Sequence, residues 1–247
     1  MTILLRLAAA ALLAGLVLAP DAFAFLFAPF APEGGPVIYA RTSLLSLTLG
    51  HLGLVAAAST LATLVAVSLA VLVTRAAGRA FQPLSRTLAN IGQTFPPVAV
   101  LALAVPMLGF GAGPTLVALF LYGLLPIFEN ALTGLTLLPP RTLEAARGLG
   151  MSAGRRLVEV ELPLAAPVIL AGIRLSVVIA LGTATIGSTV GARTLGEVII
   201  AGLLTSNTAF VLQGGLVVGL LAVLIYDALT QLERRLARGT GRAGAAG

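Results

Sequence analysis

The chain has 247 residues, 58% of them apolar and only 10% charged, with a mean hydropathy of +1.07. Soluble domains run near 45–50% apolar and about 25% charged, so the composition excludes a water-soluble core and leaves room for roughly six or seven membrane spans of about 20 residues each. Cysteine is absent, His51 is the single histidine, and all fifteen basic residues behind the net charge of +6 are arginines; disulfides, thiolate or multi-histidine metal sites and a lysine-dependent P-loop are therefore excluded.

The first apolar run, Ile3 to Ala19, follows a short start containing Arg6 and ends at Pro20-Asp21, with Phe23 to Phe30 continuing the hydrophobic character. A retained helix over 1–30 competes with a signal peptide, because a basic start, an apolar run and small residues are also the pattern of a cleaved leader. Pro32, Gly34, Gly35 and Pro36 mark 31–41 as a loop. Thr42 to Thr74 is the second span. Leu88 to Leu108 is the third, with Pro96-Pro97 expected to break or kink it. A glycine-rich turn at 109–114 reverses the chain into the fourth span, Thr115 to Leu138; Leu164 to Thr189 and Phe210 to Leu232 are the fifth and sixth.

Arginine placement supplies an independent reading, because cytoplasmic loops are enriched in basic residues. With the N-terminus inside, the inner segments hold Arg6, then Arg75, Arg79 and Arg86, then Arg141, Arg147, Arg155 and Arg156, then Arg234, Arg235, Arg238 and Arg242. Arg41 and Arg193 fall outside and Arg174 within the fifth span. The expectation is an all-α polytopic bundle of about six helices with both termini cytoplasmic. The basic charge then marks membrane topology, and no nucleic-acid partner is expected.

Pro139 to Pro163 is an inner loop too long and too patterned to be a linker. Pro139-Pro140 starts a helix carrying Arg141, Glu144, Ala145, Ala146 and Arg147; Gly148 and Gly150 permit a turn; Ser152 caps a second short helix through Glu161, which is expected to end at Leu162-Pro163. Small residues and charges on such an elbow suit a docking knob, and an amphipathic helix lying on lipid headgroups is the plainer alternative.

Glu144-Ala145-Ala146, Gly150 six residues after the Glu, and Val160-x-Leu162-Pro163 resemble the EAA loop of binding-protein-dependent ABC importer permeases, with Val in place of Ile as the one departure. The resemblance implies the type I ABC importer permease fold over 42–232, preceded by the 1–30 helix and followed by a basic tail at 233–247. It implies that the 139–163 loop docks on a separate ABC ATPase subunit. Glu144, Ala145, Ala146, Gly150, Val160, Leu162 and Pro163 are then coupling residues. The further partners implied are a second permease subunit, the same chain or a related one, a periplasmic or lipid-anchored solute-binding protein and the lipid bilayer. The expected location is the bacterial inner membrane. No cofactor is expected in this chain, ATP being bound by the partner, and no enzymatic activity.

Ile91 to Pro97, Leu121 to Pro126, Ala184 to Gly187 and Phe210 to Gly214 look like permeases of osmoprotectant uptake, which import glycine betaine, choline or related quaternary ammonium compounds. Permeases for methionine or sulfonates share the architecture, so those solutes stay open. Phe23, Phe25, Phe27 and Phe30 could form a cage for methylated ammonium but suit lipid anchoring or packing better.

Polar residues inside spans are the passage candidates, because ionisable groups are costly in hydrocarbon. Glu129 with Asn130 stands out; the competing role for Glu129 is an ion pair with Arg174 that holds the bundle together. Gln93, Asn207 and Gln213 suit interhelical hydrogen bonds as well as solute contact, and Gly92, Gly187 and Gly214 suit close helix approach. Thr183, Thr185, Ser188 and Thr189 form a polar strip whose hydroxyls can equally bond their own backbone. His51, alone in an apolar run, is expected to be packed and hydrogen-bonded rather than a pH switch. The rival functional classes are an ion-coupled secondary transporter, which would show inverted repeats and mid-membrane acids, and an intramembrane enzyme, for which nucleophile and metal ligands are lacking.

Overall fold

The structure, a computed structural model, describes residues 2–239; the tail beyond 239, Arg242 included, lies outside the described residues. Among the described residues every regular element is helical. Among the described residues four helices are long and apolar enough to cross a membrane, and up to six spans result if each of two broken helix pairs, 3–30 and 79–108, counts as one. The all-α, roughly six-span reading therefore holds. The residues group into two compact units: 2–59, 95–120 and 177–227 form the first, and 60–94, 121–176 and the residues from 228 form the second.

In the first unit, α1 (Ile3–Leu18) stops where Pro20 cannot donate the next helical hydrogen bond, and the chain turns by 115° into short turns that include α2 (Ala24–Phe27). The unit also holds the start of α3 (Leu44–Thr74), α5 (Pro97–Leu108), α10 (Gly196–Leu204) and most of α11 (Thr208–Gly239). Leu16, Phe27, Leu47, Leu195, Val198 and Val217 form its buried core, and Arg6 pairs with Asp227 at 2.7 Å, tying α1 to α11. The helix α10 was not foreseen in the sequence. It sits in a segment read as an outer loop, and its Glu197 accepts hydrogen bonds from Tyr39 Oη and Thr42 Oγ1, each at 2.7 Å. Asn207 donates to the Pro36 carbonyl at 2.8 Å and Gln213 accepts from the Tyr39 amide at 3.1 Å, so side chains of α10 and α11 and the turn between them strap down the 31–43 segment.

The second unit contains the end of α3, α4 (Gln82–Thr94), most of α6 (Ala112–Thr136), α7 (Pro140–Gly148), α8 (Ala153–Arg156) and the first part of α9 (Leu162–Thr183). Here α6 and α9 pack antiparallel through small residues. A Cβ on Gly123 would meet Ser176 Oγ at 2.6 Å, one on Gly172 the Pro126 carbonyl at 2.7 Å, and one on Gly134 the Ala165 carbonyl at 3.2 Å. Such a seam lets backbones approach closely where lipid gives no hydrophobic drive for helix association.

Two expectations need correction. The helix that Ser152 starts does not end at Leu162-Pro163: α8 passes through a π turn, Leu157–Glu161, directly into α9. The wider winding of the π turn carries the chain past Pro163, whose missing N–H falls at the junction. Nor does Glu129 pair with Arg174. Glu129 meets Arg86, while Arg174 meets Glu233 at 3.3 Å and the Thr230 hydroxyl at 2.8 Å. The long arginine side chains reach from α4 to α6 and from α9 to α11, so each acid finds a partner on a helix other than the one adjacent in sequence.

Candidate functional site

The elbow at 139–163 is built by local rules. Pro140 opens α7, where its missing N–H costs nothing. At the other end Met151 N donates to the Ala146 carbonyl at 3.2 Å and Gly150 N to the Arg147 carbonyl at 2.9 Å. That pair of bonds is a Schellman motif, with Gly150 at the residue just past the helix and in the left-handed conformation it requires, φ +74°. Two residues on, Ser152 Oγ accepts from Arg155 N and begins α8. The spacing from Glu144 to Gly150 is thus the length of helix between the acid and its stop signal.

Exposure sorts the elbow's residues. Glu144, Ala145 and Gly150 are open to the surroundings, and Leu149 is 82% exposed at the tip. Ala146 instead is buried and seats α7 on the protein. Val160 and Leu162 are half-buried and Pro163 exposed at the base of α9.

Glu161 at the elbow's base is 4% exposed. Its carboxylate takes Arg75 Nη2 at 2.5 Å on one oxygen and Arg156 Nε at 2.9 Å on the other. Arg75 follows the last residue of α3, 86 positions away. Sequence reasoning missed this ion pair, because nothing local in either segment announces the other.

Beside the elbow's helices, α4 and α6 present polar faces to one another. Arg86 Nε and Nη2 bond Glu129 Oε1 and Oε2 at 2.5 and 2.8 Å. One step along, Gln93 Nε2 donates to the Tyr122 carbonyl at 3.3 Å. Seven residues forward on α4 match seven residues back on α6, so the helices run antiparallel. Ser85, Ala89 and Gly92 form the buried seam, with Gly92 against the Leu121 carbonyl, where a Cβ would overlap it. Arg86 and Glu129 keep 53% and 34% of their side-chain surface exposed, and Thr133 and Thr136 lie on the same side of α6 as Glu129. The two charges satisfy each other on the open side of the seam, as ionisable groups within an apolar bundle must.

The structure does not bring the remaining passage candidates to this wall. Asn130 donates back to the Pro126 carbonyl at 2.8 Å and packs on Gly172. Arg174 joins α9 to α11, Gln213 is fully buried in the first unit, and Thr185 donates to its own Gly182 carbonyl at 2.7 Å. Thr189 likewise bonds Ile186, and Ser188 bonds Thr194, so these three hydroxyls of the polar strip find partners close by in the chain. Gly187 and Gly214 do serve close approach: a Cβ there would meet Thr115 at 2.5 Å and Ile199 at 2.7 Å. Buried His51 donates through Nε2 to the Leu181 carbonyl at 3.0 Å, the packed role expected of it. Among the described residues no three His, Cys, Asp or Glu side chains are grouped to hold a metal.

Comparison with known proteins bears on the family and the fold. The family model described as binding-protein-dependent transport system inner membrane component matches residues 58–238. The osmoprotectant import permease protein OsmY of Salmonella typhimurium is 39% identical over 196 residues, 79% of this chain and 83% of that protein. The choline transport system permease protein OpuBB of Bacillus subtilis is 40% identical over 204 residues, 83% of this chain and 90% of that one. Among solved structures, an inward-facing form of the MetNI methionine ABC transporter superposes with a TM-score of 0.67 at 21% identity, covering 80% of this chain and 99% of that one.

Proposed function

The chain belongs to the family of binding-protein-dependent transport system inner membrane components, and on that premise we propose that it is the permease subunit of an ABC importer for an osmoprotectant such as glycine betaine, choline or a related quaternary ammonium compound. The observation that carries the importer reading is the elbow: a rigid, protruding helix–turn–helix with Glu144, Ala145 and Leu149 exposed at its tip and a buried ion-pair cluster at its root. A surface built this way suits a groove in a separate ATPase subunit better than lipid headgroups, because its exposed face mixes acids and arginines, Glu144 with Arg141 and Arg147 among them, with small residues and only Leu149 and Val158 as exposed large apolar side chains, rather than an apolar stripe. Gly150 sets the bend, Ala146 seats the elbow on the bundle, and Val160, Leu162 and Pro163 carry it into α9. ATP binding and hydrolysis belong to that partner.

The solute reading draws on the names of the relatives and on the wall formed by α4 and α6. Arg86 with Glu129, Gln93, Thr133 and Thr136 give a hydrated, nearly charge-balanced surface, suited to passing a cation or zwitterion without holding it. Selection then rests with a solute-binding protein outside, and a second permease subunit completes the passage. The multi-pass chain lies in the bacterial inner membrane with both ends in the cytoplasm. A reporter fused after Gly247 should report the cytoplasm, and a periplasmic signal would overturn that topology. The deciding experiment is ATP-dependent uptake by the complete complex in vesicles. Labelled glycine betaine or choline should accumulate; uptake of methionine but of neither of these would reject the osmoprotectant assignment.

A further inference from the structure

We infer that Glu161 is a positioning residue that fastens the docking elbow to α3 as well as to α9, so that both helices follow the elbow when the ATPase subunit moves it. The inference rests on the docking role proposed above and goes beyond it by naming the mechanical link.

The elbow reaches α9 through the chain itself, because α8, the π turn and α9 are one continuous helical path. It has no such route to α3, whose last residue is Thr74. The connection there is the Arg75–Glu161 ion pair at 2.5 Å. Its α3 end is stiff: Arg75 Nε donates to the Val71 carbonyl at 3.3 Å, and Thr74 Oγ1 lies 2.9 Å from both the Ala70 and the Val71 carbonyls. Val71 is one of the orphan carbonyls of the helix terminus, where a cation is also favoured by the helix dipole.

Its elbow end is equally constrained. Glu161 is nearly fully buried, and its second oxygen holds Arg156 of α8 at 2.9 Å. One carboxylate thus stands between two guanidinium groups from two elements. Removing its charge leaves those cations facing each other with no negative charge between them, so both contacts weaken together. Glu161 is moreover the last residue of the π turn, the point at which the path from the elbow returns to regular α-helix and enters α9. A carboxylate at that joint ties the movable part to a fixed helix end.

The experiment uses the whole complex of permease, ATPase and binding protein in proteoliposomes and reads solute moved per ATP hydrolysed, with co-purification of the ATPase as a separate measure. Glu161→Gln and Arg75→Gln should retain the ATPase while solute per ATP falls about tenfold, and Glu161→Asp should restore most of the loss. Because the chain has no cysteine, a double variant Arg75→Cys with Glu161→Cys can be bridged by a short reducible thiol cross-linker. Bridging should restore coupling and reduction should abolish it. Wild-type coupling in Glu161→Gln overturns the inference, as does a bridged double variant that stays uncoupled, or loss of ATPase binding in Glu161→Gln that Glu161→Asp does not repair. A parallel Glu144→Arg variant separates the two proposals. If it keeps both the ATPase and coupling, the docking role itself fails, whatever Glu161 does.

Discussion

Gln93 donates to the Tyr122 carbonyl at 3.3 Å, the carbonyl four residues before Pro126, which has no N–H to return to it. A helix-breaking residue on α6 is thereby matched by an amide from α4. Gln93→Leu should cost about 0.5–1.5 kcal/mol, the net worth of a single hydrogen bond at an exposed position. Adding Pro126→Ala, which supplies an N–H, should recover much of that loss. Thermal unfolding of the single and double variants in detergent checks the pair, and additive losses would break the connection.

Gly150 adopts φ +74° to close the Schellman turn. Gly150→Ala should cost about 1–2 kcal/mol of local stability, since a Cβ is disfavoured in the left-handed region, whereas Gly150→Asn should cost less. No heavy atom lies within 4 Å of where the new Cβ would stand, so the penalty is purely conformational. Co-purification of the ATPase with the permease should rank the wild type above Asn and Asn above Ala.

Leu149 is 82% exposed, so Leu149→Asp should leave the thermal stability of the isolated permease within about 0.5 kcal/mol. In the complex, an apolar contact at the centre of an interface is replaced by a desolvated charge, and ATPase affinity should fall at least about tenfold. Unchanged affinity in a titration of detergent-solubilised subunits would place Leu149 outside the docking face.

The Arg86–Glu129 pair is bidentate but open to solvent on both sides. Exposed pairs are worth about 1 kcal/mol or less, so Glu129→Gln should hardly change melting. If the wall borders the passage, Glu129→Gln leaves Arg86 as an unbalanced positive charge. Uptake of a cationic solute should then drop more than uptake of a zwitterion, and the swap Arg86→Glu with Glu129→Arg should restore the balance. Equal effects on both solutes would remove Glu129 from the passage.

Burial pushes the Tyr39 phenol up to about 12, aided by the Glu197 carboxylate that accepts its hydrogen bond. The unfolded phenol titrates near 10. A raised folded value means the stabilisation is fully present below about pH 10 and is lost as pH climbs through about 12. A melting curve against pH should therefore show a step in that alkaline window. Tyr39→Phe should remove the step, and its persistence would assign the step to another group.

What the sequence made legible was what short-range rules determine. Pro139-Pro140, Gly150 and Ser152 each specify one backbone event within a few residues, and the elbow forms where they put it. Placement of the long apolar helices was legible for the same reason, since length and hydropathy suffice. Failures arose where partners are distant or a helix departs from regular winding. Glu129 and Arg174 looked matched because they occupy consecutive spans, yet their actual partners, Arg86 and Glu233, lie near the ends of other helices. Leu162-Pro163 looked like a stop because the rule for proline assumes an α-helix, and the π turn before it suspends that rule. The helix α10 escaped notice because its nine residues are too few to form a span.

A π turn contains one residue more than an α-helix needs to follow the same path. Were Leu157–Glu161 to tighten into α-helix without loss of a residue, the surplus would pass along the rod, turning everything ahead of it by about 100° and advancing it about 1.5 Å. The elbow is thus mounted on slack of a single residue. Deleting one residue within 157–161 should take up that slack and leave the elbow aimed where it now stands.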